Sequence, residues 1–299
     1  MTPSAPCLTA LIALAGLAAA PAVRAQQSNP LVDAAWVHQH LGDPNLVLLH
    51  VGPADEYATE HIAGAVFIDR DDFSDPASHE EGHLVLELPD PAAFQSALRE
   101  AGVNDDSRIV VYWGGEWVTP TARVVYTLDW AGLGDRTTLM NGGLNAWKAA
   151  GYELTGEAPS PAAGNVTLHP RSELVVDAAW VGAHTDQPGF RIVDARAEAF
   201  YDGVREDQGK AGHIPGAGNV PWTTLVDEET LLLEPPETLR ERFAAAGVED
   251  GDTVVGYCHI GQYATLMLFA ARTLGHRVVL YDGAFQDWAR QDLPVESGR

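Results

Sequence analysis

Cysteine is almost absent: Cys7 and Cys258 are the only two in 299 residues, so no disulfide framework holds this fold together. Basic residues are scarce as well. Lys+Arg number 18 against 42 Asp+Glu, for a formal net charge of −24, and the only lysines are Lys148 and Lys210. A field of that sign repels a phosphate backbone, so no nucleic-acid partner is expected, and an anionic small substrate requires a local positive site. Long apolar runs are missing apart from residues 8–22, LTALIALAGLAAAPA, which fall short of the roughly 20 residues of a bilayer span. Val23-Arg24-Ala25 follows in a small-x-small pattern. Although no Lys or Arg precedes the run, it reads as a signal peptide, residues 1–25, cleaved before Gln26. The expectation is a periplasmic or secreted protein with no stable membrane insertion after signal cleavage, and with Cys258 as its only thiol.

What is present is a globular composition, 46% hydrophobic and 20% charged, over a length suited to two domains. The chain repeats itself once. LVDAAWV at 31–37 returns as VVDAAWV at 175–181, HIAGAV at 61–66 as HIPGAG at 213–218, and LMNGGLNAW at 139–147 as LYDGAFQDW at 280–288. The second copy carries about eight extra residues near YDGVREDQGKAG. Between the copies, GEAPSPAAGN at 156–165 has no apolar periodicity and reads as a linker. The expected division is 30–155, a linker at 156–170, and 171–299. Short apolar strands alternating with amphipathic helices imply an α/β fold, two tandem domains, each a mainly parallel sheet flanked by helices.

Ligands of such sheets bind beyond the carboxyl ends of the strands. Cys258 stands there, after the strand pattern TVVGY and before a helix pattern starting near Ala264. The six residues Cys258, His259, Ile260, Gly261, Gln262 and Tyr263 can turn successive backbone N–H groups toward the sulfur. Such a nest, with the helix dipole behind it, is expected to lower the thiol pKa and favour a nucleophilic thiolate. Gly261 suits the tight turn.

These motifs resemble the rhodanese family, in particular its tandem-domain sulfurtransferases of the thiosulfate and 3-mercaptopyruvate type, over essentially the whole chain after the leader. The likeness is carried by DAR at 194–196, GHIPGA at 212–217, Asn219-Val220-Pro221, the loop CHIGQY and the closing DGAFQDW at 282–288. The resemblance implies a catalytic C-terminal domain and an N-terminal one without its nucleophile. Trp113 occupies the place of Cys258, and His50 and Gly52 those of Asp194 and Arg196. It further implies that Cys258 takes a sulfane sulfur from a small anionic donor such as thiosulfate and passes it to cyanide, a thiol or a protein acceptor, with no metal or organic cofactor. Arg196 then offsets developing charge or forms an ion pair, and Asp194 orients Arg196 or the loop.

The family pattern is broken at Phe200, where many tandem members have an arginine, and in the loop, whose only basic residue is His259. Arg205 and Lys210, in the extra segment, are candidates for the missing charge, with a solvated loop as the alternative. Trp113, Glu116 and Trp117 either wall the pocket or fill the domain interface. His213 recurs as His61 in the half without a nucleophile, which assigns it a structural role, and Gly142, Gly283, Trp147 and Trp288 pair as turn and core residues. Two other functions compete: a persulfide carrier without rapid turnover, and a phosphatase of the same fold. The second lacks the arginine that closes a phosphate-binding loop, since the loop ends in Tyr263.

Overall fold

The computed structural model describes residues 30–298 together with Met1; the leader pattern therefore lies outside the described residues apart from that methionine. The first half builds a sheet from β1 (Leu31–Val32), β2 (Leu46–Val51), β3 (Val66–Phe67), β4 (Arg108–Trp113) and β5 (Thr137–Met140), in the order β1-β5-β4-β2-β3. The second half repeats that order with β6 (Val175–Val176), β7 (Phe190–Asp194), β10 (Gly218–Asn219), β11 (Thr253–Tyr257) and β12 (Arg277–Tyr281). Every pairing within the two sheets is parallel. The extra segment of the second half forms a small antiparallel hairpin, β8 (Glu206–Asp207) and β9 (Lys210–Ala211).

Both central strands, β4 and β11, are covered on both faces, which is why IVVYW and TVVGY are nearly continuous apolar runs rather than alternating ones. The repeat extends to single hydrogen bonds. Tyr112 lies opposite His50 and Tyr257 opposite Asp194, and each phenol oxygen accepts from a backbone N–H at 3.1 Å, that of Ile62 or of Ile214. This register places Trp113 and Cys258 at equivalent points, one residue further along. His61 and His213 likewise stack on Tyr57 and Tyr201 and bond the carbonyls of those tyrosines through Nδ1 at 2.7 Å.

The halves are joined by apolar packing. Helix Val118–Leu128 lies against helix Gln262–Thr273, and Leu266 and Phe269 of the latter enter the same core cluster as Val124, Val125 and Leu128. Tyr126 crosses in the opposite direction and donates to the carbonyl of Leu174 at 2.6 Å, while Asp129 accepts from Arg272 at 2.6 Å and Arg171 at 2.9 Å. Because the second of these helices begins directly after the Cys258 loop, that loop sits at the seam between the halves. Residues 156–165 contain no regular element, yet they and the residues after them are strapped to the first half. Gly164 donates to Arg99, Val166 donates to Val103 and is fully buried, and Leu168 donates to Gln95. Among the described residues no helix is long and apolar enough to cross a membrane.

Asp33 and Asp177 cap the first helices of the two halves, accepting from Trp36 and Trp180 backbone N–H groups at 2.7 and 2.8 Å. Replacing either by alanine removes the acceptor of an otherwise unpaired helical N–H. Each is expected to lower unfolding free energy by about 0.5–2 kcal/mol, read from urea denaturation followed by tryptophan fluorescence.

Candidate active site at the Cys258 loop

Cys258 is wholly removed from solvent. Its sulfur faces the backbone N–H groups of Ile260, Tyr263 and Ala264, the nest that the loop's position had implied. Two further bonds explain how those groups are turned inward. The carbonyl of Cys258 accepts from Phe285 N at 2.9 Å and that of His259 from Gln286 N at 3.1 Å, so these two oxygens point toward the start of helix Ala284–Arg290 and away from the sulfur. Gly261 takes φ +86°, a left-handed conformation that lets the loop close within so few residues.

The turn that supplies Phe285 differs from expectation. Gly283 has an ordinary right-handed conformation, and the left-handed residue is Ala284 at φ 54°. Glycine is needed at 283 for space, since a Cβ there would approach that of Asp287 to 2.7 Å. The strain at Ala284 costs roughly 1–2 kcal/mol and is held by the two hydrogen bonds that aim the loop.

The thiol's acidity also departs from the reading of a lowered pKa. Burial pushes the Cys258 thiol above its ordinary value, with the Asp194 carboxylate adding to the effect, and together they outweigh the N–H groups that favour the anion. The resting sulfur is a thiol at neutral pH. The N–H groups of the nest are oriented to favour negative charge at this position.

Arg196 and Asp194 are both fully buried and bound to each other. Arg196 Nε donates to both Asp194 oxygens at 3.1 and 3.0 Å and Nη2 to Oδ2 at 2.7 Å. Nη2 also donates to the carbonyl of Gly212 at 2.8 Å, Nη1 donates to Asp207 Oδ2 at 3.2 Å, and the guanidinium lies 3.8 Å from the Phe285 ring centroid. Burial opposes its charge, but Asp194 beside it more than compensates and holds Arg196 above its usual range. The ion-pair alternative for Arg196 is thus realised, with Asp194 and Asp207 as its carboxylates.

Asp207 was not identified from the sequence. It bridges Arg196 to the loop, because the same Oδ2 lies 2.6 Å from His259 Nδ1. Burial resists its ionisation, yet His259 and Arg196 hold its carboxyl below the ordinary value. One signal pointed to it: Asp207 belongs to the extra segment, which only the cysteine-bearing half possesses. Arg205, in the same segment, is exposed and lies 4.6 Å over the Phe200 ring, whose other neighbour is His259 at 4.7 Å. Lys210 does not join them: its ammonium is engaged by Asp292 and by the carbonyl of Leu293, both at 2.8 Å. That is a correction to its place among the donor-binding candidates.

Contributions from the first half were also unforeseen. Arg123, fully buried on helix Val118–Leu128, forms an ion pair with Asp282 at 2.7 Å and donates to the carbonyl of Leu86 at 2.6 Å. It runs beneath the loop, 3.3 Å from where a Cβ of Gly261 would stand. Thr119 Oγ1 accepts from Gln262 Nε2 at 3.2 Å, and Asp282 in turn accepts from the backbone of Leu88 at 2.8 Å. The first half's own counterpart of the loop is chemically empty. Trp113 is core, packed on Gly143; His50 is buried and driven down to about 4 by desolvation, hence neutral; Gly52 carries no charge. Glu116 is exposed and Trp117, partly buried, packs against the first core, so of this trio Trp113 alone lies in the interior.

A rhodanese-like domain model matches residues 33–150 and again 177–291. The chain belongs to the rhodanese family. It is 35% identical to a probable 3-mercaptopyruvate sulfurtransferase of Pseudomonas aeruginosa, over 91% of this chain and 99% of that one. It is 32% identical to a thiosulfate sulfurtransferase of Azotobacter vinelandii over 90% and 98%. The crystal structure of SseA from Escherichia coli, described as a 3-mercaptopyruvate sulfotransferase, superposes with TM-score 0.76 at 32% identity, covering 86% of this chain and 99% of that one. An anaerobic ergothioneine biosynthesis enzyme from Chlorobium limicola shares the fold at TM-score 0.78 and 21% identity, covering 92% and 71%. The rhodanese chain described here is therefore a tandem-domain sulfurtransferase, an enzyme of sulfane-sulfur transfer.

Two outcomes follow from this geometry. Arg123→Met leaves Asp282 without its buried counter-ion and is expected to cost about 3–5 kcal/mol in urea unfolding, with loss of sulfurtransfer at temperatures where the variant is still folded. Because burial raises the thiol above its ordinary 9.0, alkylation of resting Cys258 by iodoacetamide should climb only as pH passes that value. The sign for stability is the same: the protonated thiol's contribution is complete below the unfolded value and is lost as pH rises through the higher folded one.

Proposed function

We propose that Cys258 is the nucleophile and cycles through a persulfide, taking sulfur from thiosulfate or 3-mercaptopyruvate and passing it to a thiol or cyanide. The observation that carries this reading is the fully buried Cys258 sulfur facing three backbone N–H groups. The Cys258 thiol releases its proton to solvent, the resulting thiolate attacks the outer sulfur of thiosulfate, a new S–S bond forms, and sulfite departs with the electron pair of the old one. The resulting persulfide anion extends into the nest. A buried anion of this kind gains more from oriented N–H groups than it would from water, because they need not reorganise as charge develops.

Arg196 serves as a positioning residue in this scheme. Its donors are taken up by Asp194, Asp207 and Gly212, so it acts by fixing Asp207. Arg205 supplies the cationic side of the donor site from the rim, steadied by the Phe200 ring. Ile260, Gly261, Gln262 and Tyr263 contribute backbone geometry. Export belongs to the same proposal, and the N-terminal sequence of the protein recovered from the periplasm or medium tests it, Gln26 being the expected first residue.

The deciding assay measures thiocyanate from thiosulfate and cyanide, with intact mass after donor alone, for the wild-type protein and Cys258→Ser. Turnover and a gain of one sulfur atom, both absent in the variant, are the expected result. A mass gain without turnover on any small acceptor would indicate a carrier instead, and neither signal with thiosulfate or 3-mercaptopyruvate would overturn the reading. Arg205→Gln is expected to raise KM for thiosulfate about two- to fivefold, as loss of one exposed charge contact implies.

A further inference from the structure

His259 is the one imidazole in the loop, and sulfur uptake as set out above makes no use of it. Its Nδ1 is anchored 2.6 Å from Asp207 Oδ2. Since that carboxyl is held ionised by His259 and Arg196 against the opposing effect of burial, the hydrogen between the two groups resides on Nδ1. In the neutral ring the lone pair is therefore on Nε2. Nε2 has no hydrogen-bond partner among the described residues, and the side chain is 23% exposed. The ring is fixed edge-on by Phe200 at 4.7 Å and by Tyr263 at 5.8 Å, with Trp222 5.2 Å behind Tyr263.

A half-buried imidazole directly after the nucleophile, with one nitrogen tied to a carboxylate and the other free, has the arrangement of an oriented base. The tie comes from the β8–β9 hairpin, and the half without a cysteine has no counterpart of that hairpin. The proposal rests on the persulfide reading above and deepens it.

We propose that His259, oriented by Asp207, is the general base of the acceptor step when the acceptor is a thiol. Nε2 takes the thiol proton as the acceptor sulfur attacks the outer sulfur of the Cys258 persulfide. The new bond joins acceptor sulfur to sulfane sulfur, and the bond to Cys258 breaks with its electron pair returning to Sγ. The acceptor leaves as a persulfide anion, the proton passes from Nε2 to solvent, and no oxidant or reductant is consumed. Cyanide attacks as an anion with no proton to lose, so the base serves thiols and not cyanide. The ionisable groups around the ring are Asp207 and, through it, Arg196 from the sheet end; Tyr263 from the loop; and Arg205 behind Phe200.

The test is single-turnover discharge. The enzyme is loaded with thiosulfate, the persulfide verified by mass, and its decay followed after mixing with dithiothreitol or with cyanide, for wild type, His259→Gln and Asp207→Asn. Rates are expressed per neutral thiol and per cyanide anion across pH. The thiol-to-cyanide rate ratio is expected to fall about a hundredfold in His259→Gln, and by less in Asp207→Asn, with loss of the lower inflection in the thiol pH profile. Equal losses for both acceptors, or an unchanged ratio, in a variant that loads normally would overturn the role of His259 alone. A wild-type protein that forms no persulfide would overturn the sulfurtransfer reading with it.

Discussion

A sulfur atom at the carboxyl end of a central strand has been taken wholly out of water, and the surrounding architecture answers the cost of putting charge there. In the resting state that cost wins and the thiol keeps its proton. The compensation is built in advance as oriented N–H groups, turned inward because the carbonyls of Cys258 and His259 are held by Phe285 and Gln286. Those bonds require the left-handed Ala284, a local strain that the packed helix behind it sustains. Loop, turn and helix thus form one unit whose individual conformations would not persist alone.

The charged groups obey the same constraint. Arg196 and Asp194 are fully buried and neutralise one another, and Asp207 brings a second carboxylate to the same guanidinium. The excess negative charge is turned toward His259, so the buried pair and the loop are electrically continuous. Breaking either partner would strand a charge in the interior. In the other half the same positions hold His50, Gly52 and Trp113, which place neither a charged pair nor a nucleophile there.

The first half nevertheless takes part. Arg123 reaches under Gly261 to Asp282, and helix Val118–Leu128 shares a core with the helix that follows the loop. This half serves as the wall against which the loop is braced, and the segment after residue 156 is strapped to it.

Much of this was legible in the sequence because it is local or periodic. The duplication, the parallel sheets, the loop at a strand end and the helix caps at Asp33 and Asp177 each follow from spacing that a chain displays along its own length. What depended on pairs far apart in sequence was not: Asp207 with His259 and Arg196, Arg123 with Asp282, and Lys210 drawn off to Asp292 rather than to the site. Nor could residue types alone predict the acidity of Cys258, since the same N–H nest lowers a pKa at a wet surface and loses to desolvation in a dry interior. The sequence by itself determined which atoms are available for chemistry. Only the tertiary structure decided their burial and their partners, because burial and charge pairing are properties of the packed whole and not of any segment.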